Sequence, residues 1–180
     1  MADDKRRPLN STAASLLGFL HQGPMSGWDL VALAQDRIGD FWTITQSQVY
    51  RELATMHQHG LVDKGEAGAR DRTPYRITES GREAFTEWIA RDPGPETIRV
   101  PLLLTLSFGE FVEPERLQRI IAANREIHEH RLSGYLGGHD EQRISPFERA
   151  TLDFGIRYER AVLDWFDRLP ELLSRTSRLS

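Results

Sequence analysis

The 180-residue chain contains no cysteine. That absence removes disulfides, thiolate zinc sites and cysteine nucleophiles together, so stability has to come from packing and assembly. No apolar run comes near the roughly 20 residues that a membrane helix needs. The longest candidates are Leu16–Leu20 and Leu102–Leu106, and the sequence predicts no membrane contact. The charged stretch Met1–Asn10 is not followed by a signal-peptide run and cleavage site, so the expected compartment is the cytoplasm. Excess positive charge is missing too: 23 Lys and Arg stand against 27 Asp and Glu, a formal net charge of -4. Bulk attraction to nucleic acid is excluded, while a local patch is not. Finally, Gly65, Glu66, Ala67 and Gly68 are not followed by the lysine and hydroxyl residue of a P-loop, which excludes nucleotide hydrolysis by that route.

What is present describes a soluble, folded chain, 39% hydrophobic and 28% charged. Asp92, Pro93, Gly94 and Pro95 interrupt two mostly helical stretches and predict two domains, residues 9–91 and 92–180. In the first, Ser11 is placed to cap a helix carrying Ala13, Leu16, Leu17 and Leu20. Ser26, with Asp29 three residues on, opens a second helix with Leu30, Leu33 and Ala34 on its apolar face. A third starts at Thr45, buries Val49, Leu53 and Met56, and stops at Gly60. Residues 61–64 and 73–77 then read as a two-stranded hairpin with a charged, glycine-containing tip. Thr78 caps a fourth helix whose buried side is Ala84, Phe85, Trp88 and Ile89.

The second half predicts a helical stretch over 98–108 and a long helix opened by Glu113 and Pro114 and closed by Gly137 and Gly138. Another runs from Ser145 and Pro146 towards Leu169. Joined by a turn, the two long helices should pair antiparallel.

Three helices followed by a basic-tipped hairpin form the arrangement of a winged helix, in which the third helix enters the DNA major groove. The fold class expected is therefore mainly α with a small two-stranded β-wing, followed by a C-terminal antiparallel helical domain. The third helix offers Thr45, Gln46, Ser47, Gln48, Tyr50 and Arg51, short hydrogen-bonding side chains plus one cation, types that read base edges or hold phosphates. The wing adds Arg70, Arg72 and Thr73. Each has a plainer alternative: capping for Thr45, Gln46, Ser47 and Gln48, packing on the wing for Tyr50, an ordinary solvated ion pair for Arg51, a polar loop for the wing residues.

Between Gln46 and Arg76 the cations Arg51, Lys64, Arg70, Arg72 and Arg76 barely outnumber Glu52, Asp63, Glu66 and Asp71. Affinity built on so few phosphate contacts depends on pairing two copies. The residues expected between them are Leu117, Ile121, Asn124, Phe154, Tyr158, Ala161, Val162 and Trp165. Asn124 interrupts an apolar stripe, where a buried amide can fix register. Trp165 is also the candidate for an effector contact. His57 and His59, and His128 and His130, are spaced by two and do not share a helix face. No metal, cofactor or catalytic residue is expected; acidic pairs such as Glu113 and Glu115, or Asp164 and Asp167, lack a partnering nucleophile.

Gly27-Trp28-Asp29-Leu30, the run from Trp42 to Leu61 with Tyr50, Leu53, Met56, Gly60 and Leu61, and Tyr75, Ile77, Thr78 and Gly81 resemble the motifs of the PadR-like transcriptional regulators. The likeness covers residues 14–90. The helical second half is similar to the larger subclass, which carries a two-helix dimerisation region. One departure is the start of the third helix, Thr45-Gln46-Ser47-Gln48 and then Arg51, where the family often has proline or glycine near the start and proline after the tyrosine. The resemblance implies a homodimeric repressor that binds double-stranded DNA at a pseudo-palindromic operator and, in some members, releases it when a small molecule binds near the dimer interface. A rival reading from another class is a winged-helix module that binds protein instead of DNA.

Overall fold

The computed structural model describes residues 9–39, 42–66, 72–95, 98–137 and 144–174. They fall into two compact units that meet between Pro95 and Glu96, each taken by itself below.

In the first unit, helix α1 spans Ser11–Leu20. Its cap is Asn10 rather than Ser11. Asn10 holds the extended backbone a cap requires and accepts a hydrogen bond from Ala13 N at 2.8 Å, which leaves Ser11 as the first helical residue. Strand β1 (Met25–Ser26) runs directly into α2 (Gly27–Ile38). As expected, Ser26 and Asp29 form a reciprocal capping box there: Asp29 N donates to Ser26 Oγ and Ser26 N donates to Asp29 Oδ2, both at 3.2 Å. Then come α3 (Gln46–Gln58), β2 (Val62–Lys64), β3 (Pro74–Ile77) and α4 (Glu79–Ile89).

Gly60, at φ +68°, takes the left-handed turn out of α3 that a side chain resists. The expected hairpin is present, but the sheet has a third strand, in the order β1-β3-β2 and antiparallel throughout. Two residues cannot show a two-residue period, so β1 has no sequence signature.

Leu16, Leu17 and Leu20 of α1, Leu30 of α2, Val49, Leu53 and Met56 of α3 and Val62 of β2 close a single core. At about 1.5–3 kcal/mol for each fully buried aliphatic side chain, that burial decides which face of α3 turns inward. The outer end of α4 departs from expectation. Thr78 caps it, yet Ile89 is exposed and Trp88 only half-buried, because the last turn projects beyond the core that holds Phe85.

In the second unit, α5 (Pro101–Ser107) leads through a short 3-10 turn (Gly109–Phe111) into α6 (Pro114–Gly137) and then α7 (Pro146–Ser174). The expected starts hold. Glu113 accepts from the backbone of Glu115 and Arg116, and Ser145 and Glu148 cap α7 reciprocally. The last helix runs past Leu169, through Pro170, to Ser174, since one missing N–H removes a single bond so near the end. Arg125 meets Asp167 while Tyr135 lies against Gly155, so α6 and α7 are antiparallel. The buried core of this unit is small, built on Leu102 of α5 and on Phe166 and Leu169 of α7.

Candidate nucleic-acid interface

Helix α3 presents two faces set by its 3.6-residue period. Val49, Leu53 and Met56 are buried, and Gln46, Ser47, Tyr50 and Arg51 face outward, aligned as two i, i+4 pairs. Two of the expected reading residues have another task. Thr45 Oγ1 takes up the Gln48 N–H at 3.3 Å, and Gln48 Oε1 accepts from Thr45 N at 2.8 Å, so both are committed to the capping box. Ser47 Oγ lies 3.1 Å from Thr45 Oγ1. Arg51 is exposed and forms no ion pair among the described residues. Four outward side chains therefore remain to meet a ligand surface: Gln46, Ser47, Tyr50 and Arg51.

Tyr50 is 43% exposed, and its ring covers the start of α2. A Cβ at Gly27 would lie 2.6 Å from Tyr50 Cε1, so only glycine lets the ring settle there. Close by, burial pushes the Tyr75 hydroxyl above its ordinary value, and Tyr50 adds to the effect.

Of the wing residues, Arg70 lies outside the described residues. Thr73 is half-buried. The Arg72 guanidinium sits over the Trp28 indole, 4.4 Å from the ring centroid, with Nη1 3.5 Å from Asp29 Oδ1. The hydrogen bond from Ser26, with Arg72 adding a smaller contribution, holds the Asp29 carboxyl below the usual carboxylate range. Nothing in the sequence alone joins Trp28 to Arg72. The pairing of Met25 with Tyr75 and Ser26 with Pro74 brings the start of α2 beside the residues that precede β3, and there the two side chains meet.

In the second unit, Leu117, Ile121, Val162 and Trp165 are half-buried within the helical pair. Trp165 packs edge-on against Phe166 with ring centroids 4.9 Å apart. Asn124 Nδ2 donates to Ile120 O at 2.8 Å, so that amide is satisfied within its own helix. Phe154 and Tyr158 stack 6.3 Å apart on the open side of α7, where Ala161 and Phe147 are exposed too. A further feature without a sequence signature is Glu159, buried within α7 and facing His128 of α6. Polar residues at helical spacing read as a solvated face until a partner helix is placed over them. No group of three or more possible metal ligands occurs among the described residues, and none of their helices is long and apolar enough to cross a membrane.

Residues 16–87 match the family model described as "Transcriptional regulator PadR-like family", and residues 98–174 match "Virulence activator alpha C-term". The negative transcriptional regulator PadR of Bacillus subtilis is 22% identical over 175 residues, covering 89% of this chain and 96% of its own. Its structure in complex with operator DNA superposes with a TM-score of 0.73 at 20% identity, over 91% of this chain and 99% of that one. That protein has also been solved in complex with p-coumaric acid, with a TM-score of 0.69, 21% identity and coverage of 92% and 99%. The PadR-like regulator BC1756 of Bacillus cereus gives a TM-score of 0.80 at 22% identity, and the Vibrio cholerae virulence activator AphA gives 0.68 at 26%; both cover 92% of this chain and 99% of theirs. With both halves matched in this order, the chain carries a PadR-like transcriptional regulator domain over residues 16–87 followed by a virulence-activator-alpha C-terminal domain over residues 98–174.

Proposed function

We propose that the protein is a cytoplasmic homodimeric repressor that places one α3 helix from each copy in successive major grooves of a pseudo-palindromic operator. The observation that carries this reading is the exposed stripe of α3, where Gln46, Tyr50 and Arg51 take no part in the capping box and Ser47 sits at its edge. Amide and hydroxyl groups suit base edges, and the phenol and guanidinium suit phosphate oxygens. Residues 9–91 form the DNA-binding domain, with Arg70 and Thr73 of the wing beside the duplex. The relative from Bacillus subtilis, solved with operator DNA, supports the same use of this fold.

Residues 92–180 form the pairing domain. Phe147, Phe154, Tyr158 and Ala161 recur on α7 at spacings of seven, four and three, the period of a helix-to-helix seam, and lie exposed in the single chain. A second copy covers them, and the crossing of its long helices sets the distance between the two α3 helices at about one DNA turn, roughly 34 Å. A small molecule that binds one crossing angle more tightly than another shifts the dimer between binding and released states. Trp165 is packed on Phe166, so it transmits such a change through the hairpin core. We assign the chain no catalytic chemistry: Glu113 caps α6 and Asp167 pairs with Arg125, which commits these carboxylates to structure.

Selection of bound fragments from genomic DNA, followed by gel shifts of the recovered duplex at two salt concentrations, tests the reading. Binding that weakens steeply with salt and is lost in the Arg51→Ala, Arg70→Ala double variant is expected. Salt-insensitive binding, or no enriched fragment, contradicts it and favours a protein-binding module.

A further inference from the structure

We propose that Arg72 acts in DNA recognition as a positioning residue, through Trp28: the indole and the Asp29 carboxylate clamp the base of the wing to the first turn of α2. The proposal rests on the DNA-binding reading above.

Three observations carry it. First, the contact lies where the sheet ends. Pairing of β1 with β3 stops at Ser26↔Pro74, α2 begins at Gly27, and two residues beyond that pair on each segment the Arg72 guanidinium lies 4.4 Å over the Trp28 ring. A planar cation on an indole face is attracted by the ring quadrupole. Second, the acid that completes the clamp is itself anchored. Ser26 Oγ donates to Asp29 Oδ2 at 2.6 Å, while Oδ1 stands 3.5 Å from Arg72 Nη1. The Arg72 charge is thus already matched, and reaching a phosphate would require leaving both partners.

Third, the same turn of α2 carries the recognition helix. Gly27 receives the Tyr50 ring of α3, while Trp28 and Asp29 receive the wing. One short segment therefore sets the wing relative to α3. Trp28 is 53% exposed and contributes little to the core, so the clamp's effect falls on the placement of the wing more than on folding.

The test compares full-length Trp28→Ala, Arg72→Ala, the double variant and Trp28→Phe, binding the selected duplex across a salt series. A clamp predicts that Trp28→Ala and Arg72→Ala each weaken binding by a similar factor, about two- to fivefold. The double variant is no worse than either, and Trp28→Phe, which keeps a ring under the guanidinium, recovers most of the affinity. The salt slope changes equally in the two alanine variants, although only one of them removes a charge. If Arg72 instead holds a phosphate, its alanine variant alone loses affinity and about one unit of salt slope, while Trp28→Ala binds normally; that result overturns the proposal. Failure of the unsubstituted protein to bind any duplex is distinguishable, since it removes the DNA-binding reading itself. Thermal unfolding of each variant within a few degrees of the parent separates a binding loss from a folding loss.

Discussion

Glu159 is hydrogen-bonded to His128 across the two long helices, Nδ1 to Oε2 at 2.5 Å, with the carboxylate side chain only 2% exposed. Arg131, one turn further along α6, stands 3.9 Å from the other oxygen, and the Phe166 ring lies against the imidazole. A carboxylate so placed has left water and depends on these partners. Because few aliphatic side chains are buried in this unit, the polar cluster is a main determinant of how α6 and α7 register.

Replacing Glu159 by leucine leaves His128 facing an apolar side chain in a half-closed site. The expected loss is about 1–3 kcal/mol, the cost of leaving one partner of a buried hydrogen bond unsatisfied. Adding His128→Leu should restore most of it, since Arg131 is exposed enough to turn to solvent. Urea denaturation of the full chain measures both; equal stability of the parent and Glu159→Leu would place the pair outside the determinants of the fold.

Gly27→Ala separates binding from stability. The added methyl meets the Tyr50 ring, the far end of a side chain that is 43% exposed, so the ring swings away at a cost of about 1 kcal/mol, the low end for overpacking. Operator affinity should fall by more than tenfold while the thermal midpoint moves by only a few degrees. A variant that binds as the parent does shows that the Tyr50 position is not used.

Asp29 predicts a pH dependence of known sign. Its carboxyl is held below the ordinary value, first by Ser26 and then by Arg72, so the charged form is favoured in the folded state. The stabilisation is complete above the unfolded value and is lost as pH falls through the lowered folded one. Asp29→Asn should therefore cost about 0.5 kcal/mol at neutral pH, as for other charges near a helix start. The gap to the parent should begin to narrow as pH falls below the unfolded value of about 3.9 and close only below the lowered folded one. Thermal unfolding of the two proteins across pH checks this; a gap that widens in acid reverses the sign.

Much of the fold was legible because its signals are local. Ser26 with Asp29, Thr45, Thr78 and Glu113 cap where their side chains reach an orphan N–H, and Gly60 turns where φ must be positive. What escaped depends on contacts between distant residues. Strand β1 exists only because Pro74 and Tyr75 lie beside it. Glu159 is buried only because α6 crosses it. The capping role of Gln48 was open from sequence as one of two uses, and geometry shows the side chain turned back onto Thr45. Arg72 lay in the wing by sequence, but only the folded contact with Trp28 reveals what it rests on.

The central claim is that two copies read one duplex together. Sedimentation equilibrium of the protein with its selected operator tests it directly. The account predicts two chains per duplex, and loss of the complex when roughly five base pairs, half a helical turn, are inserted between the half-sites. One chain per duplex, bound equally well when the second half-site is scrambled, would contradict it.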